Sequence, residues 1–199
     1  YESNIQAIDS WKNKWDYSAG KRILLYAPTD FSGSTYKWAE AINRYSDYAA
    51  RLVTCSSHEY GYAADIEYDQ NNFDFYFYDK LLDECDLIHI KDEYYIYLVH
   101  LGKTNAYAYA TDMFKKYFHK PKVYTHFGGY ARLFARDVEY KDYVMNNFQA
   151  HIAMTPDLNY PWFKGFFVPH SIDTERFSYS WKPGKKIIHS PSTAARKGT

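Results

Sequence analysis

Arg22-Ile23-Leu24-Leu25-Tyr26-Ala27 is a short, continuous apolar run, and Pro28 stops it. A run of this length without polar alternation is what a strand buried on both faces looks like. The loop Thr29-Asp30-Phe31-Ser32-Gly33-Ser34 follows. Beyond it Trp38, Ala41, Ile42, Tyr45 and Ala49 recur at helical spacing. That spacing predicts a helix over Thr35–Tyr48, with Ser34 as its N-cap. Arg51-Leu52-Val53-Thr54-Cys55 then reads as a second strand. Strand, loop, helix, strand is a βαβ unit of ordinary length, and two strands so joined run parallel.

The same alternation continues along the chain. Asn72–Glu84 reads as a helix with Phe73, Phe77 and Leu81 on one side, and Leu87–Ile90 as a strand followed by the loop Lys91-Asp92-Glu93. Tyr107–Phe118 is predicted helical, with Pro121 closing it off. Lys122–His126 is a strand that ends in Phe127-Gly128-Gly129. A helix over Val138–Phe148, a strand at His151–Met154 and a last strand at Gly165–Val168 complete the pattern. The expected class is α/β: a Rossmann-like parallel sheet with helices on both faces. Three segments are expected: 1–20 as an N-terminal extension or helix, with Trp11 and Trp15 spaced i, i+4; 21–180 as the Rossmann-like domain; and 181–199 as a hinge and the start of a further domain. In the last of these, Pro183-Gly184 turns into the strand-like Lys185-Lys186-Ile187-Ile188-His189, which runs into a basic loop containing Arg196 and Lys197.

Composition narrows the classes. Hydrophobic residues make up 46% of the 199, ample for a core, and 23 tyrosines put aromatic content far above that of disordered chains. Lys+Arg and Asp+Glu are both 24, so the chain lacks the broad basic surface that nucleic acid binding requires. Cys55 and Cys85 are too few for a disulfide framework and read as two buried free thiols, which fits a reducing, cytoplasmic setting. Neither a transmembrane run nor a secretory signal is visible.

In open parallel sheets ligands bind beyond the carboxyl ends of the strands. The residues placed there are Asp30, Ser32, Gly33 and Ser34 after the first strand, Lys91 and Asp92 after Leu87–Ile90, and His126, Gly128, Gly129 and Arg132 after Lys122–His126. Thr155, His170 and Asp173 follow the later strands. The turn Ser32-Gly33-Ser34 opens a helix, where backbone N–H groups face an anion or a hydroxyl; its bland alternative is an ordinary capped loop. His126 before Phe127-Gly128-Gly129 is the sharper candidate, a histidine expected to point into the cleft beside backbone that a ligand can approach. A buried, hydrogen-bonded histidine is the better reading of His89. The Gly-x-Gly-x-x-Gly fingerprint, the P-loop, the Gly-x-Ser-x-Gly elbow and paired-histidine metal spacing are all absent, so no cofactor or metal is expected. Tyr94, Tyr95 and Tyr130 near the rim are candidates to stack on a sugar.

Four stretches, in order, resemble the N-terminal half of a GT-B glycosyltransferase of the retaining glycosyltransferase family 4. They are Lys21–Gly33; Lys120–Arg132, similar to that family's strand ending in His-Gly-Ser-Asp-x-Arg; Val168–Phe177, similar to its Pro-Asn-Gly-Val-Asp-x-x-x-Phe hinge; and Ile188–Thr199, similar to the first strand and loop of its C-terminal domain. The resemblance implies sugar transfer from a nucleotide-diphosphate-sugar, the co-substrate, to a glycan, lipid or small-molecule acceptor, without a metal. It implies that His126 lies against the donor sugar as the catalytic residue, and that Ser32, Gly33, Ser34, Gly128, Gly129 and Arg132 bind substrate. It implies that Arg196 and Lys197 neutralise the leaving diphosphate. The partners it implies are the two substrates and a C-terminal domain carrying the Glu-x7-Glu carboxylates, without which residues 1–199 are expected to be inactive alone. A cytoplasmic location with peripheral membrane contact is compatible with that job. The departures are Gly129-Tyr130 in place of Ser-Asp and His170-Ser171 in place of Asn-Gly. The rival readings are a non-catalytic Rossmann-like module that binds a glycan or a protein, which the aromatic content favours, and a sugar epimerase, which the absent dinucleotide fingerprint disfavours.

Overall fold

A computed structural model describes residues 20–28, 30, 33–55, 62–67, 75–91, 95–102, 115–162 and 165–169. In chain order these form β1 (Lys21–Ala27), α1 (Ser34–Tyr45), β2 (Tyr48–Thr54), β3 (Ile66–Glu67), α2 (Phe75–Glu84), β4 (Leu87–Lys91) and α3 (Tyr95–His100). There follow β5 (Lys122–His126), α4 (Gly128–Phe134), α5 (Val138–Asn147), β6 (Ala150–Ala153), a 3-10 turn (Pro156–Leu158) and β7 (Gly165–Phe167). The described strands make one sheet of seven, in the order β3-β2-β1-β4-β5-β6-β7. Every pairing is parallel: Ile23 sits opposite Ala50 on β2 and Leu87 on β4. This is the Rossmann-like α/β arrangement expected from the apolar runs.

The two faces of the sheet carry separate cores. Leu24, Tyr26, Ile88, Ile90 and Tyr124 face Tyr78, Leu81 and Leu82 of α2, Tyr97 of α3 and Tyr140 and Val144 of α5. Ile23, Leu25, Ala27, Ala50 and Leu52 face Trp38 and Ala39 of α1. The alternation of side chains along each strand puts the two sets on opposite sides, which is why β1 reads as uninterrupted apolar sequence. The tyrosines are largely core: Tyr97 lies edge-on to Phe134 and Tyr140 at 5.7 and 5.2 Å. Such pairs contribute about 0.5–1.5 kcal/mol each beyond their burial.

Several boundaries differ from expectation. Gly33, not Ser34, stands at the N-cap position of α1, with φ 60°. The helix ends at Tyr45 because Ser46 turns back: its N–H and its Oγ both donate to Ile42 O, at 3.2 and 2.7 Å. Tyr48 is then free to pair with Lys21. The shorter helix buries Thr35, Trp38 and Ala39, and leaves Tyr45 67% exposed. Gly128–Phe134, to which the sequence pattern assigns no element, is helical, because Gly128 at φ 75° turns the chain straight from β5 into α4. Lys91 belongs to β4 rather than to the loop after it. The expected helix over Tyr107–Phe118 falls mostly outside the described residues; Lys115 and Lys116 are helical and a turn follows. The N-terminal segment and residues 170–199, with the hinge and the basic loop, also lie outside them. Cys55 and Cys85 are buried free thiols as expected, and burial pushes Cys85 up to about 11, far from nucleophilic. No helix among the described residues is long and apolar enough to cross a membrane.

Candidate functional site

Chain order reverses in the sheet between β1 and β4, since β1 leads to β2 on one side and β4 leads to β5 on the other. α1, which follows β1, packs on one face of the sheet and α3, which follows β4, on the other. In doubly wound sheets the crevice at such a switch point, here the β1–β4 crevice, is where ligands bind. Asp30, two residues past Pro28, lies on the β1 side. Its Oδ1 accepts from Thr35 N at 2.8 Å and its Oδ2 from Tyr36 N at 3.0 Å. Asp30 therefore serves the first-turn N–H groups of α1, the role expected of Ser34. From β4, Lys91 extends its Nζ to 3.6 Å from Asp30 Oδ1 and donates to Ser34 Oγ. Ser34 Oγ in turn donates to Asp30 at 3.5 Å. The Lys91 ammonium also lies 4.9 Å from the Phe127 ring and 6.0 Å from Trp38. Asp30 is 6% exposed and Lys91 1%, so neither charge has bulk water to solvate it and each relies on the other.

Beneath this cluster His89 shares the Lys91 face of β4. Its Nε2 is 2.6 Å from Thr125 Oγ1, and Trp38 stacks on it at 5.3 Å. Burial, and then the nearby Lys91 charge, push it down to about 4, so it is a neutral, packed imidazole at pH 7, as its sequence context predicted.

A second constraint keeps position 33 a glycine. The ring of Tyr62 lies 2.3–2.5 Å from where a Cβ would stand. Gly33→Ala is expected to lose at least about 1 kcal/mol from the left-handed backbone alone, plus the displacement of Tyr62. Urea unfolding measures the loss. A crystal structure of the variant with Tyr62 unmoved would contradict the contact.

The β5 end differs most from expectation. His126 was expected to point into the cleft; it is fully buried instead. It shares the face of Tyr124, opposite Thr125 and His89, so the sheet separates its ring from the Ser34–Lys91 cluster. The ring packs against Tyr124 at 4.9 Å, His151 at 5.5 Å and Trp162 at 5.8 Å. His126 Nε2 lies 3.4 Å from His151 Nδ1. Burial, reinforced by His151, lowers His126 to about 3, and burial lowers His151 to about 4. A general acid or base near neutrality is not what this pair provides.

Arg132, expected to bind substrate, is engaged by the chain itself. It donates to Asp157 Oδ2 at 2.6 Å, Gly128 O at 2.8 Å and Thr155 Oγ1 at 3.4 Å. The Arg132 guanidinium holds the Asp157 carboxyl below its usual range. The fork ties the start of α4 to the loop after β6. Gly129 is exposed with open space around its Cβ position, while Gly128 makes the turn.

Gly33 and Ser34 thus meet at the β1–β4 crevice, and Gly128 and Gly129 line the rim beyond β5. Ser32, Tyr94, Arg196 and Lys197 lie outside the described residues, as do the side chains of Tyr95 and Tyr130. Asp30 and Lys91 were legible as rim residues but not as a pair. The signal for Lys91 was its place two residues after His89, on the same face of an apolar strand. Nothing in the sequence pointed to Tyr62. Among the described residues no group of three or more His, Cys, Asp or Glu is arranged to hold a metal ion. No family model matches the chain, and comparisons with curated proteins and with solved structures give no significant match.

Proposed function

We propose that this chain is the acceptor-side half of a retaining glycosyltransferase, which moves a sugar from a nucleotide-diphosphate-sugar to a hydroxyl-bearing acceptor. What supports the reading is the sheet order together with the place of the family-like stretches in it. Lys21–Gly33 becomes the central strand and its crevice turn, and Lys120–Arg132 becomes β5, the Gly128 turn and α4. Two of the four stretches carrying the resemblance therefore sit at strand ends on one rim, where a doubly wound sheet binds ligand.

In this reading the β1–α1 turn and the exposed backbone at Gly129 form the wall against which the acceptor rests. Positioning of a hydroxyl in a site shielded from water is the contribution such a wall makes. The imidazole of His126 drops out of the reacting set and holds the β5–α4 turn from behind. Arg132 likewise positions that turn. The leaving diphosphate falls to Arg196 and Lys197, on the resemblance alone.

The test uses the protein with its complete encoded chain and a panel of uridine, guanosine and adenosine diphosphate sugars. Release of nucleoside diphosphate from one donor, accelerated by a sugar or lipid acceptor, is the expected result. Glycan binding without turnover of any donor would replace the transferase with the binding-module reading.

A further inference from the structure

A phosphate seated at a helix N-terminus needs first-turn N–H groups, a hydroxyl and a cation. The β1–β4 crevice contains all three, and each is already engaged by a carboxylate of the chain. Thr35 N and Tyr36 N donate to Asp30 at 2.8 and 3.0 Å, Ser34 Oγ donates at 3.5 Å, and Lys91 Nζ stands 3.6 Å away. Asp30, Ser34 and Lys91 are 6%, 5% and 1% exposed, so this is an internal arrangement and not a surface ion pair. Among the described residues the cluster holds one carboxylate and one ammonium. A second anion brought there would have to displace the Asp30 carboxylate from Thr35 N and Tyr36 N, or lie against it, where the repulsion of Asp30 offsets the attraction of Lys91.

Resting on the transferase reading above, we infer that Asp30 is a specificity-determining residue of the crevice: its carboxylate occupies the N-terminus of α1, bars anionic groups from the β1–α1 turn and leaves that turn to uncharged parts of a substrate. The donor's diphosphate is then held away from α1. Gly33 at φ 60°, with Tyr62 against it, leads into α1, and Lys91 reaches Ser34 and Asp30 from β4. Asp30 thus acts on ligand choice by charge, and Lys91 acts through Asp30 as a positioning residue.

The experiment follows thermal unfolding and calorimetric binding as inorganic phosphate or pyrophosphate is added, against sodium chloride at matched ionic strength. The proteins are the wild type, Asp30→Asn, Asp30→Ala and Asp30→Ala with Lys91→Met. Wild-type melting is expected to follow the salt control. Asp30→Ala should gain saturable stabilisation of several degrees, and Lys91→Met should abolish the gain. Should Asp30→Ala not fold, Asp30→Asn keeps the side-chain volume and is expected to bind phosphate at least about 10-fold more tightly than wild type. Saturable stabilisation of the wild type by either anion overturns the inference. So does a foldable Asp30 variant that gains nothing, or a gain that survives Lys91→Met. If no variant folds, the wild-type titration decides alone. No arm uses a nucleotide-sugar, so failure to transfer sugar removes the transferase reading and leaves the exclusion of anions standing.

Discussion

Arg51→Met is expected to cost about 3–5 kcal/mol of stability, the range found when one partner of a buried ion pair is removed. Arg51 lies on the α2 face of β2 and is 1% exposed. Its Nη1 donates to Asp65 Oδ1 at 2.6 Å, and Asp65 Oδ2 accepts from Leu52 N at 2.8 Å. The pair pins β3, a strand of two residues, to the edge of the sheet. Without the guanidinium the buried Asp65 carboxylate loses the Arg51 charge set against it. For a urea slope of about 2 kcal/mol per molar, the midpoint should fall by about 2 M. Arg51→Met with Asp65→Asn should recover much of the loss, because the amide still accepts from Leu52 N without a charge. A single variant whose midpoint moves by less than about 0.5 M would remove the pair from any account of stability.

The second large effect is acid sensitivity. His89, His126 and His151 are all depressed below their unfolded value, to about 4, about 3 and about 4. The unfolded chain therefore takes up protons that the folded one refuses. Stability is complete above about pH 6.5 and is lost as pH falls from there toward the folded values. Each unit of depression corresponds to roughly 1.4 kcal/mol, so His89 alone withdraws about 3 kcal/mol by pH 4. Three such groups approach the whole stability of an ordinary domain. Urea unfolding at successive pH values should show a flat region above pH 7 and a steep decline between about 6 and 4.5. The window precedes that of Asp79, Asp86 and Asp157, whose lowered carboxyls lose their contribution only in stronger acid. Replacing His89 by Gln should flatten the slope by about one proton. A profile level down to pH 4.5 would mean these histidines accept protons in place.

The class of fold was legible because β1 is apolar on both faces and short strand-like runs alternate with helical stretches along the chain, the pattern of a parallel sheet between helix layers. The two-residue β3 was not, since Ile66-Glu67 has no period to read and is held by Arg51 and Asp65 from a distance. Arg51 opens the strand expected over Arg51–Cys55 but lies inside β2, and its charge is buried because its partner Asp65 lies on another segment. At the site, strand ends brought Asp30, Ser34 and Lys91 into contact. Which face each residue takes decided the rest: Tyr124 and His126 share one, Thr125 the other. The alternation was visible, but which side opens onto the crevice depends on where β4 lies, and strand order is not written in local pattern. Gly33 was flagged for its turn, while Tyr62, the group that makes it indispensable, comes from a loop without a signature.

The central position of β1 has a consequence during synthesis. β1 and β2 can pair as soon as both exist, but the other edge of β1 waits for β4. Ribosomes add about 5–20 residues per second, so the roughly 60 residues between them take on the order of several seconds. Through that interval Ile23–Tyr26 presents an open edge of unpaired backbone, a template for any neighbouring strand. A nascent chain stalled before Leu87 should therefore associate with chaperones or with its own copies, and one stalled well beyond Lys91 should not.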